Sequence, residues 1–273
     1  MSGKATHPYH LVNPSIWPLF TAFAILAFVV GGALALHKEP SGLPVVALGA
    51  MSIIACIFFW WRDVIREGIV DHAHTEKVRH GLRLGMALFI ASEVMFFVAF
   101  FWAYFGAAFF PKLPLEDVWA IADGVWPPKG IIPFNAFDLP LINTLILLLS
   151  GTTVTWAHHS LLHGNNRDVV RGLTITVILG VLFTLCQAYE YSHAAFGLKD
   201  GKYAAVFFLA TGFHGIHVMI GTAFLATMLV RARRGTLTKE GHLGFEFAAW
   251  YWHFVDVVWL FLFIGVYWLT STN

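Results

Sequence analysis

Apolar residues run almost without interruption through seven stretches of the chain, and polar residues gather between them. The stretches cover approximately residues 16–36, 45–61, 82–110, 141–162, 172–196, 203–230 and 245–269. A helix rises 1.5 Å per residue, so about 20 apolar residues cross the hydrocarbon layer of a bilayer. The runs are continuous and do not alternate polar with apolar in ten-residue segments, which excludes an outer-membrane β-barrel. Prolines fall where helices should start or stop, at Pro14, Pro18, Pro40, Pro44, Pro111 and Pro140. The pattern predicts an all-α integral membrane protein with seven transmembrane helices.

The polar segments group these helices. Residues 1–273 read as one membrane domain in which a charged linker, 62–81, separates helices 1–2 (16–61) from helices 3–7 (82–270). A second long connection, 111–139, is rich in proline and tryptophan, with Trp126-Pro127-Pro128 at its centre, and reads as a docking surface. With the N-terminus on the cytoplasmic side, 12 of the 17 lysines and arginines lie on the inner face, the arrangement that the positive-inside bias favours. The first apolar run is too long for a signal-peptide core and reads as a retained span. No internal or inverted repeat is visible, which weakens a transporter reading.

Composition narrows the class. Hydrophobic residues make up 58% of the 273 positions and charged residues 12%, against about 25% charged in a soluble domain. A soluble enzyme, a nucleic-acid binder and a disordered scaffold are poor readings. Cys56 and Cys186 lie far apart in apolar runs and read as small buried hydrophobes.

The candidate chemistry lies in polar groups inside the spans. Glu93 is the only charged residue in the 28 positions between Arg83 and Lys112. A carboxylate at such depth must be protonated, paired, or turned toward water or protein. A proton-active carboxyl and a neutral acid bonded to a neighbouring helix fit Glu93 equally. Glu190, beside Tyr189 and Tyr191, reads as interfacial, and Glu246 opens the seventh span, where an acid complements the helix N-terminus. His253 and Asp256 share a helix face, and a local hydrogen bond between them is expected. His214 and His217 share a face, as do His159 and His163, but this spacing alone is a weak metal or haem signal. Nearby Gly212, Gly215 and Gly221 suggest close helix packing. Trp60-Trp61-Arg62 reads as an anchor at headgroup level. A proton or solute conductor built on Glu93 and its fellow acids, and a bis-histidine haem protein, are the competing classes.

Several segments resemble successive signatures of one family, cytochrome c oxidase subunit III. They are His10-Leu11-Val12-Asn13-Pro14-Ser15, Trp60-Trp61-Arg62-Asp63-Val64-Ile65-Arg66-Glu67 and Ser92-Glu93-Val94-Met95-Phe96-Phe97. Thr155-Trp156-Ala157-His158-His159-Ser160, Ala210-Thr211-Gly212-Phe213-His214-Gly215-Ile216-His217 and Trp250-Tyr251-Trp252-His253-Phe254-Val255-Asp256-Val257-Val258-Trp259 follow in the same order. The resemblance covers essentially the whole chain, and the last motif is the most specific. Related quinol-oxidase subunits typically lack the first two helices, so their presence here favours cytochrome c as electron donor.

The resemblance implies a non-catalytic core subunit of an aa3-type haem–copper oxidase that reduces oxygen to water and pumps protons. Haem a and copper then belong to partner subunits I and II, and this chain binds no metal and has no catalytic residue. It implies a two-helix plus five-helix bundle whose cleft holds phospholipids, a stabilising role toward subunit I, support of proton uptake, and a proposed oxygen route through the cleft. Trp60, Trp61, His74 and Arg231 match lipid-binding positions, and Glu93 matches the family's carbodiimide-reactive carboxyl. His214, His217, Glu246, His253 and Asp256 are left as structural intramembrane polar groups. The expected location is the bacterial plasma membrane, or else the mitochondrial inner membrane. No role is transferred to 111–139.

Overall fold

The computed structural model describes residues 14–71, 73–111, 124–239 and 241–271. The signature residues 10–13, the basic residues Lys4 and Lys112 and most of the first half of segment 111–139 lie outside them. Seven long helices carry the described chain: α1 Trp17–Leu36, α2 Gly42–Ile69, α3 Glu76–Phe109, α4 Leu139–Leu162, α5 Asn166–Ser192, α6 Lys202–Arg233 and α7 Leu243–Leu262. A π-helical stretch, Phe263–Trp268, and a closing turn, Leu269–Ser271, extend α7. Among the described residues no strand is present, and seven helical segments are long and apolar enough to cross a membrane.

Several helices outrun the apolar stretches that announced them. α2 continues past Trp61 through Arg62, Asp63, Arg66 and Glu67, and α3 begins at Glu76. Among the described residues of segment 62–81, therefore, only 70, 71 and 73–75 lie outside helix. Charge marks where the hydrocarbon layer ends, not where hydrogen-bonded backbone ends, and Arg, Glu and Lys are good helix formers.

The chain divides between Leu82 and Arg83 into two compact units. In the first, α1 and α2 form a hairpin. A Cβ on Gly31 would stand 2.5 Å from Val46 N, and one on Gly49 2.5 Å from Phe28 N, so these glycines set the contact distance. Trp17 closes the open end by stacking on Phe59 at 5.6 Å and donating its indole N–H to Asp63 Oδ2 at 2.7 Å.

In the second unit α4, α5, α6 and α7 pack around one another, and α7 is the most buried span. Its Trp252 and Trp259 are fully enclosed, and their indole N–H groups donate to Ser150 and Thr144 of α4, each at 2.9 Å. α3 reaches this group through long side chains, with Phe97 against Phe254, Phe96 against Phe213, and the Tyr104 hydroxyl donating to Val266 O at 3.2 Å. The described part of 111–139 lies on its own bundle instead of standing free. Trp126 packs on Tyr104 and Tyr203, and Phe134 on Phe207. Cys56 is buried but Cys186 is only partly so. Of the three glycines expected to mediate packing, only Gly221 sits in a close contact, where a Cβ would stand 2.8 Å from Trp252.

Candidate functional site

Glu93 stands at the midpoint of α3, where an unpaired carboxylate is least tolerable. Its Oε2 lies 2.8 Å from His217 Nε2 on α6, and the two side chains are 22% and 10% exposed. The other ring nitrogen, His217 Nδ1, is 2.7 Å from the backbone carbonyl oxygen of Phe213. A carbonyl only accepts, so Nδ1 carries a hydrogen. One further hydrogen then lies between Nε2 and Oε2. Whether nitrogen or oxygen holds it, imidazole and carboxyl together carry no net charge. Phe96, Phe97, Tyr251 and Phe254 surround the imidazole.

His214, three residues earlier, turns to a different neighbour. It is fully buried, its Nε2–H donates to Val255 O at 3.1 Å, and its ring lies 5.1 Å from that of Trp259. The two histidines of the motif thus tie α6 to α7 and α6 to α3. Their partners are a backbone carbonyl and a carboxylate. Among the described residues no group of three or more His, Cys, Asp or Glu is arranged to hold a metal ion.

Glu246 pairs with Arg83: the guanidinium Nε and Nη2 donate to its carboxylate at 2.9 and 3.0 Å. This two-pronged pair joins the first turn of α7 to α3. Glu190 is buried, at 3% exposure, and does not occupy the interfacial position expected of it. Its Oε1 accepts from the Tyr267 hydroxyl at 2.7 Å and from Gln187 Nε2 at 3.1 Å. Tyr189, one residue away, is the group that faces outward.

The expected His253–Asp256 hydrogen bond is absent, since Nδ1 and Oδ2 are 3.9 Å apart. Thr155 is the reason. Its hydroxyl donates to Gly151 O at 2.9 Å, leaving Oγ1 to accept from His253 Nε2–H at 3.1 Å. That bond draws the ring toward α4, and the Asp256 carboxylate settles against Gly151, where a Cβ would stand 2.5 Å from Oδ2. His253 is 47% exposed although it lies about 15 Å along α7 from Leu243. The partner sets around Glu93, Glu190 and Asp256 share no member.

Of the residues matched to lipid binding, Trp60 and His74 are partly buried and Trp61 is exposed, all within the first unit. His74 packs over Gly68, where a Cβ would meet its Nδ1 at 2.6 Å. In the second unit Arg231 lies in the last turn of α6, with Nη2 donating to Thr236 O at 3.4 Å. The Gln187–Glu190–Tyr267 set was missed in the sequence. The three-residue spacing of Gln187 and Glu190 was a usable signal, whereas Tyr267 comes from a distant helix.

The family model for cytochrome c oxidase subunit III matches residues 7–271. A Rickettsia bellii (strain RML369-C) protein described as probable cytochrome c oxidase subunit 3 is 58% identical over 264 residues, covering 96% of this chain and 95% of its own. Cytochrome c oxidase subunit 3 of Tetraodon nigroviridis is 50% identical, over 97% of this chain and 98% of its own. That of Triticum aestivum is also 50% identical, over 98% of each. With its seven candidate spans and nearly end-to-end similarity, the chain belongs to the cytochrome c oxidase subunit III family.

Proposed function

We propose that this chain is a non-catalytic core subunit of the oxidase, holding subunit I in its active form while haem a and copper in subunits I and II do the redox chemistry with electrons from cytochrome c. The observation that carries this reading is the His253–Asp256–Thr155 seam. A half-exposed imidazole beside a carboxyl, this deep in an apolar span, is costly against lipid and calls for protein cover. A bundle built to be covered is a subunit. The deeper polar groups, His214 and the Glu93–His217 pair, join helices to one another and so support a structural role.

Trp60, Trp61 and His74 on the first unit and Arg231 on the second contact phospholipid. The indoles sit at headgroup level and the guanidinium pairs with phosphate. Glu93 holds α3 to α6 through the hydrogen it shares with His217, and the chain supports proton uptake by the complex. The N-terminus faces the cytoplasm of a bacterial plasma membrane. Metal and haem analysis of the purified oxidase and of the isolated chain tests the assignment. Haem a and copper should accompany the complex and be missing from the isolated chain; a Soret band on the chain itself, lost in His214→Ala, would overturn it. Proton flux through vesicles holding the isolated chain would favour a conductor instead.

A further inference from the structure

α5 and α6 part along one side of the second unit to leave an apolar groove of about 330 Å³. Val177, Val181 and Leu185 form one wall, and Met219, Thr222 and Ala226 the other. From Val177 to Leu185 the groove runs about 12 Å along the helix axis, close to the depth of one bilayer leaflet. Spread over that length, its volume leaves a cross-section of roughly 28 Å², while an α-helix is about 10–12 Å across. A hydrocarbon chain is slender enough to lie along such a groove.

One end of the groove is charged. Thr174 lies three residues before Val177 on the same face of α5, and Arg233 lies seven after Ala226 on the same face of α6. Arg233 Nη2 donates to Thr174 Oγ1 at 3.4 Å, so the two walls are joined where the groove meets the basic end of the bundle. Arg233 is exposed, and this contact uses one of its five donors. Arg171, one turn before Thr174, is paired with Asp168 at 3.1 Å and is less available. Arg231 is two residues from Arg233 and therefore points to nearly the opposite side of α6.

We propose that this groove seats one acyl chain of an anionic phospholipid whose phosphate is held by Arg233, a lipid site separate from the one assigned to Arg231. The site goes beyond the family reading above and stands on the groove and its terminal guanidinium. The test uses the assembled oxidase containing this chain, in nanodiscs. Two photoreactive probes carry the same diazirine acyl chain, one on phosphatidylglycerol and one on diacylglycerol. The phosphatidylglycerol probe should label the segment around Met219 and Ala226 about five-fold more than the neutral probe, the effect of one basic residue on an anionic headgroup. Arg233→Ala should bring the two probes level, Ala226→Phe should suppress both, and Arg231→Ala should change neither. Equal labelling by the two probes in the unaltered protein would overturn the proposal. So would labelling unmoved by Arg233→Ala, or no labelling of the groove, which would mean that another subunit covers it. Arg233 is exposed, so its variant reports on the lipid without threatening the fold.

Discussion

His217 donates through Nδ1 to its own helix and meets Glu93 through Nε2 at 2.8 Å, so that one hydrogen joins α6 to the midpoint of α3. The carboxyl that looked hardest to accommodate in the sequence is half of an electrically neutral pair. Glu93→Gln keeps this bond, because an amide N–H can donate to Nε2. Haem content and initial turnover of the oxidase should stay near those of the unaltered enzyme. Glu93→Ala leaves Nε2 without its partner and should destabilise the chain by about 1–3 kcal/mol. Its retention in the complex during detergent challenge measures this. A large immediate loss of oxygen reduction in Glu93→Gln would contradict the assignment.

The Arg83–Glu246 pair depends on guanidinium geometry, since both Nε and Nη2 are engaged. Arg83→Lys keeps the charge and loses the fork, so it should fall between the native chain and Arg83→Ala in resistance to thermal unfolding. Arg83→Ala should cost about 1.5–3 kcal/mol, the range for hydrogen bonds to charged groups. Equal stability of the lysine and alanine variants would show that the two-pronged contact contributes nothing.

At the α4–α7 contact, Gly151→Ala places a Cβ against the Asp256 carboxylate. The carboxylate must turn away or the helices part, at a cost of about 1–3 kcal/mol. Asp256→Ala removes the obstacle, so the double variant should be more stable than the sum of the two single changes predicts. Strict additivity in unfolding measurements would place the strain elsewhere.

Glu190 depends on a phenol from another helix. Tyr267→Phe removes the 2.7 Å donor and leaves a buried carboxyl held only by Gln187, which should cost about 1–3 kcal/mol. Gln187→Leu should be milder, because its bond is longer and the Tyr267 contact survives. If Tyr267→Phe unfolds like the native chain, the hydroxyl is dispensable.

Most of the helix count was legible in the sequence because burial in lipid demands uninterrupted apolar runs, and these survive in a single chain. What charge patterning misplaced was the ends of α2 and α3, where Arg62 to Glu67 and Glu76 to Gly81 are helical outside the apolar zone. The site was legible residue by residue but not as pairs. Glu93 stood out by isolation, yet nothing in its surroundings named His217, and nothing near Glu190 named Tyr267. The missing His253–Asp256 bond shows why. Spacing along one helix brought the two within reach, but Thr155 on α4 offered the better geometry. Partners across helices are set by packing, which local periodicity does not encode.

The stabilising role is tested most directly by following oxygen reduction over many turnovers, in oxidase purified with this chain and stripped of it. Both preparations should start at similar rates with equal haem a and copper, and the stripped enzyme should lose activity progressively while the complete one continues. Parallel time courses would contradict the account, as would a stripped enzyme inactive from its first turnover.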